Sequence, residues 1–593
     1  MLPFTVPHPP RQARRRHVGR IRPRLPLHLF WLVIIVLLGC TAGGPAVPGG
    51  SGGAGEARSG EQRKTITVAA VNSVKGFSPW LIGTTGGGAR SLFEIHTNGL
   101  VTTDNAGQHV GRLAAALPSF DDGTIVVLPD GRMETTWRLR SGITWHDGIG
   151  FDAEDLVFSW RVNTDPAIPS GGTAFLGQME RVEATDPQTI VITWTTTFFR
   201  ALQLDYVSLW PYPEHLLGAA FAGDKDAFLN VPYWTTEYVG LGPFRIMDFG
   251  LGENLVLERF DAYFLGRPKV DRILIRIIPD TNTLMTNLEA GAVDVATEST
   301  IGADGGAVLR DKWRESGEGT VLDKPSVWRF ISIQFNPDYG RPPELREDVR
   351  VRRGLLAAID RDALGETDLP GFTVDKGTFM LGGDPRAPLV GEPFAGLAHD
   401  PTLAAQQLAQ AGWRRGADGR MVNSSGEQVH LDLRATAGTN KQLAIIAQYW
   451  RELGFAVTED IIPSSLISDR PHRATFPGLE FTAQGSGDSM LVRFDGRQCP
   501  RPPRFSGSQG GCYASPDLDR LIVKLYGTID QREQGMVLRD IGMHMAENLP
   551  ALPMYMNVSI AAVRKGIRAL VDDYRGGQGP GSASRNAYLW DRD

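Results

Sequence analysis

The sequence predicts an α/β protein built from two or three domains. The chain has 593 residues, and the 530 that follow residue 63 exceed what one hydrophobic core usually organises. β-rich runs alternate with helical stretches throughout, and no internal repeat of about 20–50 residues is visible, which argues against a solenoid or a propeller. The predicted strands are Thr65–Val71, Met133–Leu139, Thr189–Trp194, Leu255–Arg259 and Ile273–Ile278, and the predicted helices are Ala153–Asn163, Thr281–Ala290, Asp348–Ile359, Thr402–Gln410, Lys441–Leu453 and Glu533–Glu547.

The first forty residues are typical of an export signal. Seven arginines and no acidic residue precede an apolar run from Leu27 to Leu38, which is shorter than the about 20 residues that span a bilayer. The run ends at Leu37-Leu38-Gly39-Cys40, a tetrapeptide that resembles a bacterial lipobox. Residues 1–40 are therefore predicted to be a lipoprotein signal peptide, with Cys40 as the lipidated residue. An ordinary signal peptide and an uncleaved anchor are the alternatives.

Residues 41–63 are predicted to form a flexible tether. The stretch Thr41–Gly60 consists almost entirely of Gly, Ala, Pro, Ser and Thr. Such a composition cannot bury enough apolar surface to offset the entropy lost on ordering. A tether that follows a lipid anchor would let a globular body move above a membrane.

The body that remains after the leader is acidic. The chain carries 61 basic and 67 acidic side chains. Removing the seven arginines of the leader leaves 54 basic side chains against 67 acidic ones, a formal charge of −13. A body of this charge has no electrostatic reason to bind phosphate backbones, which disfavours a nucleic-acid partner. No second apolar segment is long enough to cross a membrane, so the lipid anchor is the expected membrane contact.

Two cysteines remain besides Cys40. Cys499 and Cys512 flank a loop rich in Pro, Gly and Ser, and in an oxidising compartment they are predicted to form a disulfide that closes this loop. Two free thiols are the alternative. Their spacing is not that of a zinc site and no histidine cluster accompanies them, so neither a metal nor a cofactor is predicted.

The most specific motif runs from Trp137 to Gly148, WRLRSGITWHDG, and continues from Phe151 to Trp160, FDAEDLVFSW. It resembles, almost position for position, a block of the bacterial extracellular solute-binding family 5, whose members include oligopeptide- and dipeptide-binding proteins. Further blocks are similar to the family and occur in its order. They are Gly240–Phe244, Arg259–Asp271, Leu288–Asp294, Asp348–Arg353, Ala358–Arg361, Ser515–Asp519 and Asn548–Tyr555.

The resemblance implies an α/β fold like that of the type II periplasmic binding proteins, with two lobes and an inserted third domain. A solute would bind between the lobes and favour their closure about hinge strands. The expected first lobe is discontinuous. The domains are expected at 64–110, 236–334 and 547–593 for the first lobe, at 111–235 for the inserted domain and at 335–546 for the second lobe.

The resemblance also implies a function. The protein would be a monomeric, lipid-anchored, extracytoplasmic binding protein that captures a peptide or peptide-like solute and delivers it to the permease subunits of an ABC importer. An oligosaccharide or another polar solute is the first alternative. A sensory receptor built on the same fold is the second.

The candidate ligand-binding residues are inferred by analogy. An aromatic wall would suit a peptide side chain or a sugar face, although core packing is the alternative for each aromatic residue. Asp488 is the nearest candidate to bind a peptide amino group, although the stretch Leu479–Ser489 lacks the Asp-Tyr and Asp-Pro elements of the family's peptide binders. The candidates are Trp80, Trp160, Trp234, Trp328, Asp488 and Tyr555.

The sequence predicts no catalytic site. Gly487-Asp488-Ser489 superficially matches the GDS block of secreted hydrolases, and such a hydrolase is a remote alternative. The stretch Asp540–His544 is one residue off the D-x-x-H spacing that its histidine partner requires. Trp145, His146 and Asp147 have neither a nucleophile nor a metal partner beside them. They are expected to form a turn before a capped helix.

Overall fold

The computed structural model describes residues 63–593 except 73, 83–89, 170–175, 251–253, 299, 437, 468 and 575–582. The predicted leader, the lipidation residue Cys40 and the tether up to residue 62 lie outside the described residues. The chain from Gln62 to Asp593 forms one compact unit.

Strands and helices alternate along the described chain, which confirms the mixed α/β prediction. Each strand and helix predicted from the sequence is present, with ends that differ by at most two residues. The strands are β1 Thr65–Ala70, β2 Val101–Thr103, β3 His109–Gly111, β4 Ile125–Val127, β5 Met133–Arg138, β6 Met179–Asp186, β7 Thr189–Trp194, β8 Phe244–Phe249, β9 Asn254–Arg259, β10 Arg272–Ile277, β11 Val295–Ala296, β12 Gly319–Ile333, β13 Arg414–Arg415, β14 Met421–Val422, β15 His430–Thr436, β16 Ala456–Ile462, β17 Leu479–Gly485, β18 Ala551–Arg564, β19 Ile567–Arg568 and β20 Asp591–Arg592. The helices of eight or more residues are Ala153–Thr164, Glu214–Ala222, Thr281–Glu289, Ala303–Ser316, Val349–Ala357, Arg361–Asp368, Pro401–Gln410, Asn440–Glu452, Pro516–Tyr526 and Gln531–Asn548.

One mixed sheet of ten strands organises the two lobes. Its order is β16-β15-β17-β12-β18-β11-β1-β10-β9-β8. The strands at one end, β8 to β11 with β1, fall within the segments predicted for the first lobe, and β15 to β17 at the other end fall within the segment predicted for the second lobe. Parallel pairs β1/β10 and β15/β16 occur in the two halves, as expected where crossover helices cover a sheet.

The two central strands, β12 and β18, extend through both halves of the sheet. They pair antiparallel from Gly319 opposite Arg564 to Ser332 opposite Ala551, and the register shifts between Pro325 and Trp328. After this shift β12 also pairs with β17, whereas the far end of β18 pairs with β11. A register shift interrupts the ladder and bends the strand locally. The two halves of the sheet are therefore joined through two continuous strands.

Separate hydrophobic clusters fill the two halves. The cluster of the first lobe includes Ile66 and Leu257, and that of the second lobe includes Leu431 and Phe481. A third cluster joins the four-stranded sheet β4-β5-β7-β6 to helices of the second lobe. The domain boundaries expected at 334/335 and 546/547 fall at or near the ends of β12 and β18, and they stay predictions.

The motif from Trp137 to Trp160 forms a turn and a capped helix, as the sequence predicts. The Asp152 side chain accepts a hydrogen bond from the backbone N–H of Glu154, and the Asp155 side chain bonds back to the N–H of Asp152, which completes a capping box. Asp155 also accepts hydrogen bonds from Trp145 Nε1 at 3.0 Å and from the backbone N–H of Glu214 at 3.0 Å. One buried carboxylate thus ties the turn, the helix start and a third segment together.

Replacing Asp155 by Ala is expected to lower the free energy of unfolding by about 2–4 kcal/mol, because three donors lose their acceptor and one of them, Trp145 Nε1, is buried. Urea unfolding followed by circular dichroism measures the change. Glu154→Ala, at an exposed position in the same helix turn, is the matched control and should change stability by about 0.5 kcal/mol or less. Equal effects of the two variants would contradict this account.

Candidate ligand-binding cleft

A cavity of about 750 Å³ lies between segments of both lobes and the middle of β12. This volume is within the usual range for small-molecule sites, about 300–1,000 Å³. Its lining is rich in charged side chains. The charged residues and the histidine that line it are Glu94, His109, Asp205, Lys324, Asp384, Arg386, Asp488 and Arg585.

Asp205 supplies a carboxylate from the first-lobe side of the cleft. Its Oδ1 accepts hydrogen bonds from the backbone N–H groups of Val207 and Ser208, at 3.0 and 2.8 Å, and from the Ser208 hydroxyl. These bonds fix the side chain on its own turn. No described residue donates to Oδ2 or forms an ion pair with Asp205, so this oxygen is available to a cationic ligand group.

Glu94 is a second carboxylate of the same wall, and it is only 1% exposed. Burial raises its pKa from 4.5 to about 7, although Arg112 and the Thr102 hydroxyl, 3.2 Å away, act in the opposite direction. A carboxyl group with this pKa is partly protonated at neutral pH. It can donate a hydrogen bond to a ligand or, when ionised, bind a cationic group.

Arg386 is the centre of the second-lobe wall. Its guanidinium donates to Asp384 at 2.7 and 3.0 Å, to Asp488 at 3.2 Å and to Gln534 at 3.0 Å. Burial raises the pKa of Asp488, but the charges of Arg386 and Arg200 outweigh it and hold this pKa below its usual value. The charge of Asp488 is therefore already compensated within the protein.

Lys324 extends from the hinge strand β12 into the cavity lining and is exposed. It forms no ion pair or hydrogen bond through its side chain with any residue that the structure describes. Beside it, the Ser326 hydroxyl donates to the backbone carbonyl of Asn557 on β18 at 3.3 Å. The hinge thus places a free ammonium group close to the point where the register of β12 and β18 shifts.

A direct contact also joins the two lobes beside the cavity. The ring of Phe199, which lines the cavity, stacks on Tyr526 with a centroid separation of 5.1 Å. The backbone N–H of Phe199 donates to the carbonyl of Tyr526 at 2.9 Å. The segments predicted for the inserted domain and for the second lobe are therefore in contact on this side of the cleft.

Of the six candidate ligand residues, Asp488 lines the cavity and the five aromatic residues do not. Trp234 and Trp328 are each 1% exposed and belong to two different hydrophobic clusters. Trp80 packs edge-on against Trp234, with ring centroids 4.8 Å apart. Trp160 packs against the hydrophobic cluster of the four-stranded sheet β4-β5-β7-β6. Tyr555 is buried, and its hydroxyl donates to Asp368 at 2.7 Å.

The residues that sequence reasoning missed are Glu94, Asp205, Lys324 and Arg386. They come from four distant segments, and none stands in a motif that marks it. The Asp205 turn and the short Gly382–Arg386 loop carry polar residues after apolar stretches, which is too common a pattern to identify a site.

The hydrolase alternative is wrong on geometry. The Ser489 hydroxyl donates to the backbone carbonyl of Ser486 at 2.7 Å, and Asp488 is paired with Arg386. The ring nitrogens of His544 lie 3.3–3.5 Å from Tyr513, Ser515 and Asn548. No described histidine contacts the serine, so the nucleophile lacks a base.

Three further observations concern the predictions from the sequence. Cys499 and Cys512 are joined by a disulfide, as predicted. Within the described residues, no group of three or more His, Cys, Asp or Glu side chains could hold a metal ion. In the same part of the chain, every helix is too short or too polar to cross a bilayer.

The sequence profile of the bacterial extracellular solute-binding proteins, family 5 Middle, matches residues 126–490. This match covers more than half of the 593 residues. The chain belongs to this family. Because the family consists of binding proteins, the expectation that this chain is not an enzyme is confirmed by its membership.

Individual relatives agree with this assignment. The oligopeptide-binding protein AppA of Bacillus subtilis is 22% identical over 482 residues, which cover 77% of this chain and 83% of AppA. Heme-binding protein A of Haemophilus influenzae is 26% identical over 473 residues, 75% of this chain and 80% of the relative.

Solved structures confirm the fold of a type II periplasmic binding protein. NikA from Brucella suis, in complex with Fe(III)-EDTA, is similar with a TM-score of 0.70 and 21% identity, over 89% of this chain and 100% of NikA. The oligopeptide-binding protein of Thermus thermophilus, in complex with a pentapeptide, is similar with a TM-score of 0.65 and 20% identity, over 90% of this chain and 96% of the other.

The raised pKa of Glu94 predicts a pH-dependent stability. The folded protein keeps a proton that the unfolded chain releases above pH 4.5, so the stabilisation is complete below pH 4.5 and is lost as the pH rises to about 7. Glu94→Gln removes this dependence. Between pH 4.5 and 7, the free energy of unfolding of the variant should therefore rise relative to that of the wild type, by up to about 3 kcal/mol.

Urea unfolding at several pH values in this window measures the difference. Glu154→Gln, at an exposed position, should show the same pH dependence of the free energy of unfolding as the wild type. Parallel curves for Glu94→Gln and the wild type would show that Glu94 titrates alike in the folded and unfolded chain.

Proposed function

We propose that the protein is the lipid-anchored, extracytoplasmic binding subunit of an ABC importer and that it captures a peptide or peptide-like zwitterion. The lobes close over the solute, and the permease subunits receive it from the closed form. Family membership supports the binding role. The charges of the cleft support the choice of solute.

The observation that carries the choice is a pair of uncompensated opposite charges in one cavity. Asp205 presents a free oxygen from the first lobe, and Lys324 presents a free ammonium group from the hinge. A zwitterionic peptide carries the complementary charges at its two ends. Its amino group would bind Asp205 and its carboxylate Lys324, and both interactions gain strength when closure removes water.

Asp488 contributes indirectly in this proposal. Together with Asp384 it compensates Arg386, so that the second-lobe wall offers hydrogen-bonding groups without a net positive charge. Glu94, in the neutral or the ionised form, adds a further polar contact next to Asp205.

Relatives bind other solutes, among them heme-binding protein A and NikA with Fe(III)-EDTA. An anionic chelate of that kind would need an excess of positive charge around it. Here the lining has four acidic residues, Glu94 among them, against Lys324, Arg386 and Arg585. Burial lowers the pKa of His109, so the imidazole adds no charge at neutral pH. The cleft therefore favours a zwitterion over an anion.

Asp205→Asn should weaken the binding of a zwitterionic peptide by about 10- to 100-fold, because a charge-assisted hydrogen bond is lost while the Oδ1 contacts are kept. Isothermal titration calorimetry with peptides identified by mass spectrometry of the co-purified solute measures the effect. The N-acetylated form of the same peptide should bind weakly and equally to the variant and the wild type.

Asp226→Asn, at a first-lobe position outside the cavity lining, is the control and should leave affinity unchanged. Lys324→Gln should weaken the binding of the peptide with a free C-terminus by a similar factor. It should leave the binding of the peptide's C-terminal amide unchanged. The proposed solute class is wrong if neutral sugars or anionic chelates bind tightly and no peptide does.

The anchor is tested separately. In the full chain, Cys40→Ser is expected to abolish lipid labelling and to release the protein from the membrane fraction, because no other segment is proposed to hold it there. Metabolic labelling with a fatty acid and cell fractionation give the result. Cys499→Ser, which removes a different cysteine, should keep the label. Labelling that survives in Cys40→Ser would show that the lipobox interpretation is wrong.

A further inference from the structure

A second, smaller cavity of about 150 Å³ lies inside the second lobe. It shares no lining residue with the cleft. Glu480 and Thr482 of β17 line it, whereas Phe481 between them packs into the cluster on the opposite face of the sheet. The cavity therefore lies on the sheet face that the helices of that cluster do not cover.

The loop between Cys499 and Cys512 forms the roof of this cavity. The disulfide closes the loop at its ends, and the carbonyl of Gly511 accepts a hydrogen bond from the N–H of Phe335 at 2.6 Å. A Cβ at Gly511 would lie 2.2 Å from the carbonyl oxygen of Ile333, so only glycine allows this approach. Phe505, which lines the cavity, has φ 46°. Left-handed conformations at bulky residues cost about 1–3 kcal/mol and persist where the surroundings impose them.

The charges around the cavity are unbalanced. Three arginines and one glutamate line it. Arg473 pairs with Glu480 at 2.5 Å. The same glutamate also binds Arg434, at 2.6 Å, which lies behind the cavity and donates to two backbone carbonyls as well. Glu480 thus already pairs with two arginines, and Arg470 and Arg493 add two further positive charges around the cavity.

Arg493 has spare donors that border the cavity. Its Nε donates to Gln484 at 3.0 Å, and no described residue accepts from Nη1 or Nη2. Burial lowers the pKa of Arg493, the Glu480 carboxylate offsets this in part, and Arg473 lowers the pKa further. Arg470 forms no ion pair with a described residue. Neither Arg493 nor Arg470 thus has an ion-pair partner among the described residues.

Five aromatic rings form part of the remaining lining. The rings of Phe330, Phe476, Phe494, Phe505 and Tyr513 contribute to it. A cavity of about 150 Å³ holds one benzene-sized ring. Ring walls favour an apolar or planar body, and a guanidinium with two free N–H groups favours a carboxylate, which it can bind in a bidentate manner.

We propose that this cavity is a second binding site, which takes a small organic carboxylate with an apolar body of about ring size. The carboxylate binds the free Nη groups of Arg493, and the body lies among the phenylalanine rings. The roof loop covers the site on one side. The site is separate from the cleft and does not depend on the proposed solute.

Benzoate is a suitable probe, and ligand-observed NMR titration of the oxidised full-length protein measures its affinity. Arg493→Gln should weaken benzoate binding by about 10- to 100-fold, because the charged hydrogen bonds are lost. Benzamide, which has the same ring without the charge, should bind the wild type more weakly by a similar factor.

A second variant tests the site without changing its charge. A Cβ at Gly510 would lie 3.7 Å from Arg493 Nη1 and 3.9 Å from Phe476 Cε1, so Gly510→Ala is tolerated and fills space beside the guanidinium. Gly510→Ala should weaken benzoate binding by about tenfold. Arg520→Gln, at an exposed position that does not line the cavity, should bind benzoate as the wild type does.

Three results would overturn the proposal. The first is unchanged benzoate binding in both Arg493→Gln and Gly510→Ala. The second is a loss of benzoate binding in the cleft variant Asp205→Asn with no loss in the Arg493 variant, which would place benzoate in the cleft. The third is no benzoate binding to the wild type, whether or not inorganic phosphate binds. Circular dichroism of each variant verifies that it is folded.

Discussion

The antiparallel pairing of β12 with β18 is the constraint on which the rest of the structure depends. These two strands lie at the centre of the ten-stranded sheet, and their register shifts between Pro325 and Trp328 and again between Arg329 and Phe330. Backbone hydrogen bonds join the two strands on either side of these shifts. A relative motion of the lobes would be concentrated there, and the cavity lies beside the first shift. Hinges of this kind need only a few residues to change their dihedral angles.

The cleft separates charges that serve the fold from charges that a solute can use. Arg386 is bound by two carboxylates and an amide, so it shapes the second-lobe wall and leaves little charge to a ligand. Neither Asp205 nor Lys324 forms an ion pair with a described residue. A solute that contacts both of them would bridge the first lobe and the hinge, and only a solute that binds the closed form better can shift the lobes toward closure.

Much of the fold could be predicted from the sequence because its signals are local. The alternation of Thr65–Ala70 or Thr189–Trp194 and the cap at Asp152 depend on neighbouring residues, and the disulfide follows from two cysteines in an exported chain. The cleft could not be predicted in this way. Asp205 and Lys324 line the same cavity although more than one hundred residues separate them in the sequence. Aromatic residues such as Trp328 gave no indication of whether they would face the solute or the core, because both environments favour them.

The position of β18 between β12 and β11 has a consequence for biogenesis. β1 occurs near residue 65, yet the sheet that contains it is complete only when Ala551–Arg564 has been added. During synthesis from the amino-terminal end, the edge of β11 that β18 covers stays open until almost the entire polypeptide has been made. An uncovered strand edge of this kind readily pairs with other chains and aggregates. A truncation that removes β18 is therefore expected to destabilise the amino-terminal half of the molecule, although the two regions lie far apart in the sequence.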